Sequence, residues 1–278
     1  MTGRLRWAIC TGCLVVSGVT QAQLPLSIEE LLVEQRVTKL QGSVSFSNQD
    51  RMVLTVPPGP GQRAVLAPSN TQQQGTVSTV RLRHGLARQL EVHLGANASR
   101  LSGDRQPDRD TWDLSLGANW LVSPDTRTPA LLLQGSVDLL GRGALPGATR
   151  EWGRSLRLGA TLYRAIDPLV LSVAAQYQHQ LAQRTALGDY RPGPQWVLRP
   201  QVNFAVNYRV TLVGGVTLQH RGRGRLAEQT LAGASYLSAL NLGLGLLVGE
   251  RSTLFADTQI TTSGGDGASL SFEWLYRF

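Results

Sequence analysis

Among four histidines, His93 is the one with chemistry-bearing neighbours on its own period-two face, since Glu91 and Asn97 share it. A carboxylate beside an imidazole can raise its basicity, and an amide can orient it, which is two-thirds of a hydrolytic site. The missing third is the nucleophile: neither "QLEVHLGANA" nor any other segment sets a serine in a Ser-x-His pattern. Hydrogen bonding from a polar wall is the simpler use of His93, and the chain is expected not to be an enzyme. Cysteine chemistry is closed off too. Cys10 and Cys13 stand in the N-terminal apolar run, so the rest of the chain has no thiol for a metal or a nucleophile. No cofactor and no metal site are expected.

Other short patterns carry little. "NAS" at Asn97 matches a glycosylation acceptor by chance. "SGGDG" at 263–267 has one acid, too few for calcium, and "GLGLLVG" lacks a dinucleotide fingerprint. "HRGRGR" at 220–225 is basic, and the net charge is +8 with Lys39 the sole lysine. In a secreted chain, such arginines meet lipopolysaccharide phosphates or solvent; nucleic acid is not an expected partner.

Secretion is indicated by the first residues. Arg4 and Arg6, an apolar run from Trp7 to about Val19 and the small-residue site Thr20-Gln21-Ala22 have the layout of a signal peptide over 1–22. No later apolar run reaches the length of a membrane helix, so a membrane-embedded chain must be a barrel.

Periodicity supports that alternative. "TWDLSLGANWLV" alternates Trp112, Leu114, Leu116, Ala118 and Trp120 with Asp113, Ser115, Gly117 and Asn119, and similar segments recur to the end of the chain. Successive side chains of extended backbone point to opposite faces, so a period of two reads as strand. There are about twelve such segments of about ten residues, the length at which a tilted strand crosses a bilayer. Short connections near 85–88, 123–129, 164–168, 207–210 and 248–252 alternate with longer ones near 48–74, 99–110, 141–153, 181–194, 221–233 and 262–267. That rhythm fits periplasmic turns and extracellular loops, whereas a soluble sandwich has no reason for it. Aromatics agree: Trp120, Tyr163, Tyr208, Tyr276 and Phe278 fall at the short-turn end, with Trp112, Trp152, Tyr177, Trp196 and Tyr236 at the other, as two girdles. Phe204, Phe255 and Phe272 fall mid-strand, and Pro200 interrupts a good strand, where a missing ladder donor is tolerable at a bulge.

The fold class expected is all-β, a transmembrane antiparallel barrel over 38–278, in the bacterial outer membrane. Its water-filled face would carry Lys39, Arg81, Arg83, Arg157, Arg199 and Arg277 against Glu91, Asp113, Asp138, Asp257 and Glu273, with glutamines and asparagines between. Such a lining suits a narrow pore for small polar solutes or a lumen sealed by ion pairs. Residues 23–37 are expected to be a helix of about ten residues: Ser27 and Glu30 have capping-box spacing, and Ile28, Leu31 and Leu32 form an apolar face. It is either a periplasmic cap or a plug.

Two stretches carry resemblances. "SFEWLYRF", with Trp274, Tyr276 and the terminal Phe278, resembles the C-terminal signal that the barrel assembly machinery recognises. "SIEELLVEQRVTKLQGSVSFSN", a helix running into a first strand, resembles the start of the transporter-like barrels grouped with the phenol-degradation pathway porins, which include the export barrel of functional amyloid systems. The resemblance implies a channel or export conduit whose N-terminal segment plugs or regulates it, although this chain lacks the longer coiled-coil region of an amyloid exporter. A closed structural or adhesive barrel is the alternative, and a barrel lipid hydrolase a third. Expected partners are outer-membrane lipid and lipopolysaccharide, the assembly machinery and an unidentified substrate, with homo-oligomer formation left open.

Overall fold

The computed structural model describes residues 26–29, 31–55, 65–103, 106–142, 155–185, 188–226, 229–265 and 267–278. The signal-peptide segment 1–22, Gln23–Pro25, Glu30 and Trp152 lie outside the described residues.

Twelve strands close into an antiparallel barrel. In chain order they are β1 (Thr38–Thr55), β2 (Val65–Ala87), β3 (Leu90–Gly103), β4 (Gln106–Ser123), β5 (Ala130–Arg142), β6 (Ser155–Ile166), β7 (Leu169–Gln180), β10 (Gln195–Asn207), β11 (Val210–Arg221), β14 (Ser235–Leu247), β15 (Ser252–Ser263) and β16 (Gly267–Arg277). The first and last pair from Lys39↔Arg277 to Gln49↔Gly267, which leaves the barrel no free edge. The alternation predicted from sequence fixes the two faces. Phe46, Leu82, Leu116, Leu158, Leu218 and Phe272 point outward and are exposed, while Arg83, Ser115 and Thr217, chain neighbours of Leu82, Leu116 and Leu218, turn inward and are buried. A continuous exposed apolar wall around a polar interior is stable only in lipid, so the strands span a membrane. No helix among the described residues is long and apolar enough to do so.

The long connections depart from expectation. Much of 48–74 is strand: β1 and β2 keep pairing as far as Thr55↔Val65, past a bulge at Asp50/Met52. Outside the bilayer no lipid enforces alternation, so a ladder can continue through polar sequence such as "TQQQG" with no period-two signal. The predicted loops 181–194 and 221–233 hold β8 (Gln183–Thr185), β9 (Gly188–Arg191), β12 (Gly224–Leu226) and β13 (Gln229–Ala232), a separate four-stranded ribbon ordered β13-β12-β9-β8. Pro200 sits in β10 without a bulge. It keeps its place opposite Val173 of β7, and β11 holds one register on either side of it, from Leu198↔Leu218 to Gln201↔Gly215. Tyr163 is no girdle residue: it stands opposite Ser172 and Ala130 on the inward face, and Phe255 is also inward, opposite Glu273.

The N-terminal segment differs most from its prediction. Helix α1 is a single turn, Leu26–Glu29, followed by a turn at Leu31, a bend at Leu32 and non-helical chain up to β1. Isolated short helices are marginal because nucleation is costly, and here side chains of the barrel take the backbone groups that a longer helix would pair internally. Before β1 the chain hooks over Gly85. The Arg36 N–H donates to the Gly85 carbonyl at 2.8 Å, the Gly85 N–H donates to the Val37 carbonyl at 3.1 Å, and Arg36 adopts φ 64°. A side chain at Gly85 would collide with the Glu34 carbonyl, so glycine is required for this close approach. Gly85→Val is expected to release the segment while leaving the barrel closed. Trypsin cleavage after Arg36 should rise by about tenfold or more, with heat-modifiable gel mobility unchanged.

Candidate functional site

Inside the barrel, the short-turn end is apolar where a polar lumen was expected. Ala130, Leu132, Val170 and Leu275 all face inward and are almost fully buried, Leu275 at 2 % exposure. Leu275 is the residue that breaks the alternation of the last strand. Leu132 and Val170 come from "ALLLQ" and "LVLSV", where the strand is apolar on both faces, the pattern of a strand buried on both sides. Three residues of the N-terminal segment, Leu26, Ile28 and Val33, are likewise buried, Val33 completely. Each such side chain contributes roughly 1.5–3 kcal/mol when removed from water.

The segment is anchored at both ends. The Leu26 N–H donates to Thr211 Oγ1 on β11 at 3.0 Å, and α1 packs on β11 and β14. At the other end, the Val33 N–H donates to Glu91 Oε2 on β3 at 2.8 Å. β3 and β11 are opposite walls, since five strands lie between them in either direction around the closed order. These two bonds hold Leu26 at one wall and Val33 at the opposite one, so the segment bridges the lumen.

Glu91 is the organising group. Its carboxylate, 0 % exposed, accepts two parallel bonds from Arg83, Nε to Oε1 and Nη2 to Oε2, each at 2.8 Å. It also accepts from the Val33 N–H and, at 3.1 Å, from Asn119 Nδ2. Arg83 Nη2 donates in addition to the Leu31 carbonyl at 3.2 Å. A desolvated carboxylate needs this density of donors, and the bidentate guanidinium supplies charge and geometry together. Val33, which bonds to the carboxylate, and Leu31, whose carbonyl bonds to Arg83, both belong to the inserted segment. The clasp therefore joins wall to insert, and at the base of the barrel Arg277 Nη2 reaches Glu34 Oε2 at 3.0 Å, an exposed pair worth little by itself.

The other residues expected on the water-filled face fall into separate groups. Asp138 accepts from Ser155 Oγ at 2.5 Å and pairs with Arg157 at 3.2 Å. Asp113 accepts from Asn97 Nδ2 at 2.6 Å, and Asn97 in turn accepts from Thr79 at 2.9 Å. Asp257 lies over Gly243, where a Cβ would meet its carboxylate, and Glu273 stands between Ser43 and Phe255. Arg81 is inward between Gln41 and Gly95, with its Nε unpartnered among the described residues. Arg199 shares the inward face of β10 with Gln201 and Asn203. Lys39 and Arg277 are register partners at the base, away from the wider lumen. His93 lies over Gly117 and 3.9 Å from Glu91 Oε1, and no hydroxyl bonds to its Nδ1 among the described residues. Of the predicted apolar helix face, Ile28 is buried, whereas Leu31 and Leu32 are half-buried past the end of α1. Trp274, Tyr276 and Phe278 run down the outward face with ring centroids 5.8 and 5.2 Å apart. Val33, Thr211 and the inward leucines were not predicted; Asn119 was expected on the inward face but not in contact with Glu91, and the both-faces-apolar strand starts were the signal for the leucines.

No protein-family model and no curated protein sequence matches the chain. Solved structures do match. An outer-membrane channel from Pseudomonas putida F1 superposes with a TM-score of 0.73 at 12 % identity, covering 88 % of this chain and 97 % of that one. The translocator domain of autotransporter NalP from Neisseria meningitidis gives 0.56 at 12 % identity, with 91 % and 92 % covered. The transport unit of autotransporter AIDA-I from Escherichia coli gives 0.54 at 8 %, with 90 % and 93 % covered. At these identities the likeness is one of fold. The chain is a bacterial outer-membrane β-barrel, and the resemblance to transporter-like barrels holds at that level.

Removing one partner of a buried bidentate pair strands the other as an uncompensated charge, which typically costs 3–5 kcal/mol. Glu91→Gln should therefore lower the denaturation midpoint followed by tryptophan fluorescence. The double change Arg83→Met/Glu91→Leu should recover part of that loss.

Proposed function

We propose that this protein is an outer-membrane channel for small polar solutes, closed from the periplasmic side by its own N-terminal segment and opened when that segment leaves. The single observation that carries the proposal is the passage of Leu26–Val33 between opposite walls, from Thr211 to the Glu91 clasp. A barrel filled by its wall side chains alone would need no such insert, and its inward leucines would have nothing to pack on. A segment held by a few polar bonds and three apolar side chains is a reversible closure, because each bond has a water-borne substitute once the segment swings out. Above the insert, amides and both signs of charge offer exchangeable hydrogen bonds to a passing polar solute, the lining a pore for such molecules requires.

Export of a polypeptide is the variant of this reading that the two autotransporter folds invite, since an extended chain needs the same cleared lumen. Hydrolysis has less support, because Glu91 is saturated by the clasp and His93 has no hydroxyl partner among the described residues. The outward Trp274–Tyr276–Phe278 edge fits the assembly machinery as its partner at the seam. Residues 23–37 act here as plug and hook, and Arg277, paired with Glu34, belongs to its mooring rather than to the solute path.

Planar-bilayer recordings test the proposal. The full chain should show little current, and a chain lacking residues 23–33 should show steady steps of severalfold larger conductance. Glu91→Gln should flicker between the two levels. Silence from all three, with folding shown by heat-modifiable mobility, would instead make this a closed barrel. In the truncated channel, Arg199→Glu should move the reversal potential towards cation preference, because an inward cation becomes an anion.

A further inference from the structure

At the long-loop end, the hairpins β7–β10 and β11–β14 bend rather than loop. They break at Leu181–Ala182, Pro192–Pro194, Gly222–Arg223 and Gly233–Ala234, then continue as the ribbon β8, β9, β12 and β13. The two bends are locked backbone to backbone. The Gly222 N–H donates to the Pro194 carbonyl at 2.7 Å, and a Cβ on Gly193 would strike the Gly222 carbonyl. The ribbon is thus held in one place above the barrel wall.

Its two faces differ. Tyr190 shares a polar cavity of about 140 Å³ with the inward residues Gln178, Gln180, Gln195 and Arg221, so that face looks towards the mouth. Alternation puts Arg191 on the opposite face, where it stands directly across the ladder from Arg225, both exposed. Like charges directly opposed across a ladder destabilise it unless an anion lies between them. Within the four ribbon strands the sole carboxylate is Asp189, which stands across the ladder from Arg184, so the strands hold three arginines to one acid.

Beneath this face runs an independent feature. Tyr177, Trp196, His220 and Tyr236 are successive register partners on the outer wall. Tyr177 and Trp196 lie 4.5 Å apart, His220 and Tyr236 lie 4.4 Å apart, and Trp196 and Tyr236 are 53 % and 73 % exposed. Trp196, His220 and Tyr236 line, with Leu198 and Leu218, a groove of about 460 Å³ in the wall. Aliphatic floor, amphipathic ring shelf and paired guanidinium groups follow one another from membrane to water. We propose that this wall binds a phosphorylated glycolipid of the outer leaflet: acyl chain in the groove, sugar rings on the Trp196–Tyr236 shelf, phosphate between Arg191 and Arg225. Charge complementarity selects the phosphate, since charge-assisted guanidinium–phosphate bonds form without desolvating a buried group. The inference needs the membrane orientation but not the channel, so its test reads lipid binding alone.

The experiment is native mass spectrometry of the full chain, folded in a neutral detergent, against diphosphorylated lipid A, the same lipid stripped of phosphate, and phosphatidylglycerol. Wild-type protein should retain diphosphorylated lipid A about tenfold better than either comparison lipid, and Arg191→Ser/Arg225→Ser should remove that preference. Trp196→Ala should weaken retention of the phosphorylated and stripped lipids alike. Equal retention of the three lipids by wild-type protein would overturn the proposal, as would a double variant that keeps the preference. The lipid comparison uses wild-type chain only and decides the matter if a variant fails to fold.

Discussion

A backbone amide inside hydrocarbon has no water to fall back on, and here that condition is met by one ladder, the seam between β1 and β16. Its register is continuous from Lys39↔Arg277 to Gln49↔Gly267, and the Phe278 N–H adds a bond to the Thr38 carbonyl at 3.1 Å. Without the seam the remaining ladders form an open sheet with two bare edges, which lipid does not tolerate. With it, one face must be apolar and the other is enclosed. Every inward residue then has an unusual solvent, a narrow water column or another part of the same chain.

The inserted N-terminal segment depends on that enclosure. Leu26, Ile28 and Val33 could not bury themselves as a free peptide; inside the barrel all three are buried, as are the inward Leu132 and Leu275. Glu91 and Arg83 supply direction by taking backbone groups at defined points. Apolar contact holds the segment and the clasp positions it; the two are separable because hydrophobic burial has no directionality and a bidentate pair does.

Outside the bilayer different rules shape the chain. Ladders between β1 and β2 extend through polar sequence, and the ribbon of β8, β9, β12 and β13 forms where two hairpins are pinned together by Gly193, Gly222 and Pro194. These are water-exposed strands, with no lipid on either side to write a period into their residues. That is why their sequence reads as loop. Between them and the bilayer lies the aromatic row from Tyr177 to Tyr236, whose rings suit a boundary where one end is wet and the other is not.

The sequence by itself determined the barrel, because a bilayer constrains every second residue over many strands and so repeats its message a dozen times. The same parity is the reason for expecting the charges on the inward face. It did not reveal which of those charges pair. Arg83, Glu91 and Asn119 lie on three strands, and their meeting with Val33, 58 residues before Glu91, depends on strand order and stagger. The ten-residue helix predicted for the N-terminus became one turn for a related reason: its local propensity competed with hydrogen-bond partners that exist only once the wall is built. Leu275 shows the division in one residue. Its sequence showed a break in the alternation of the last strand, and only the closed barrel, with its own N-terminus inside, supplied an apolar neighbourhood to explain it.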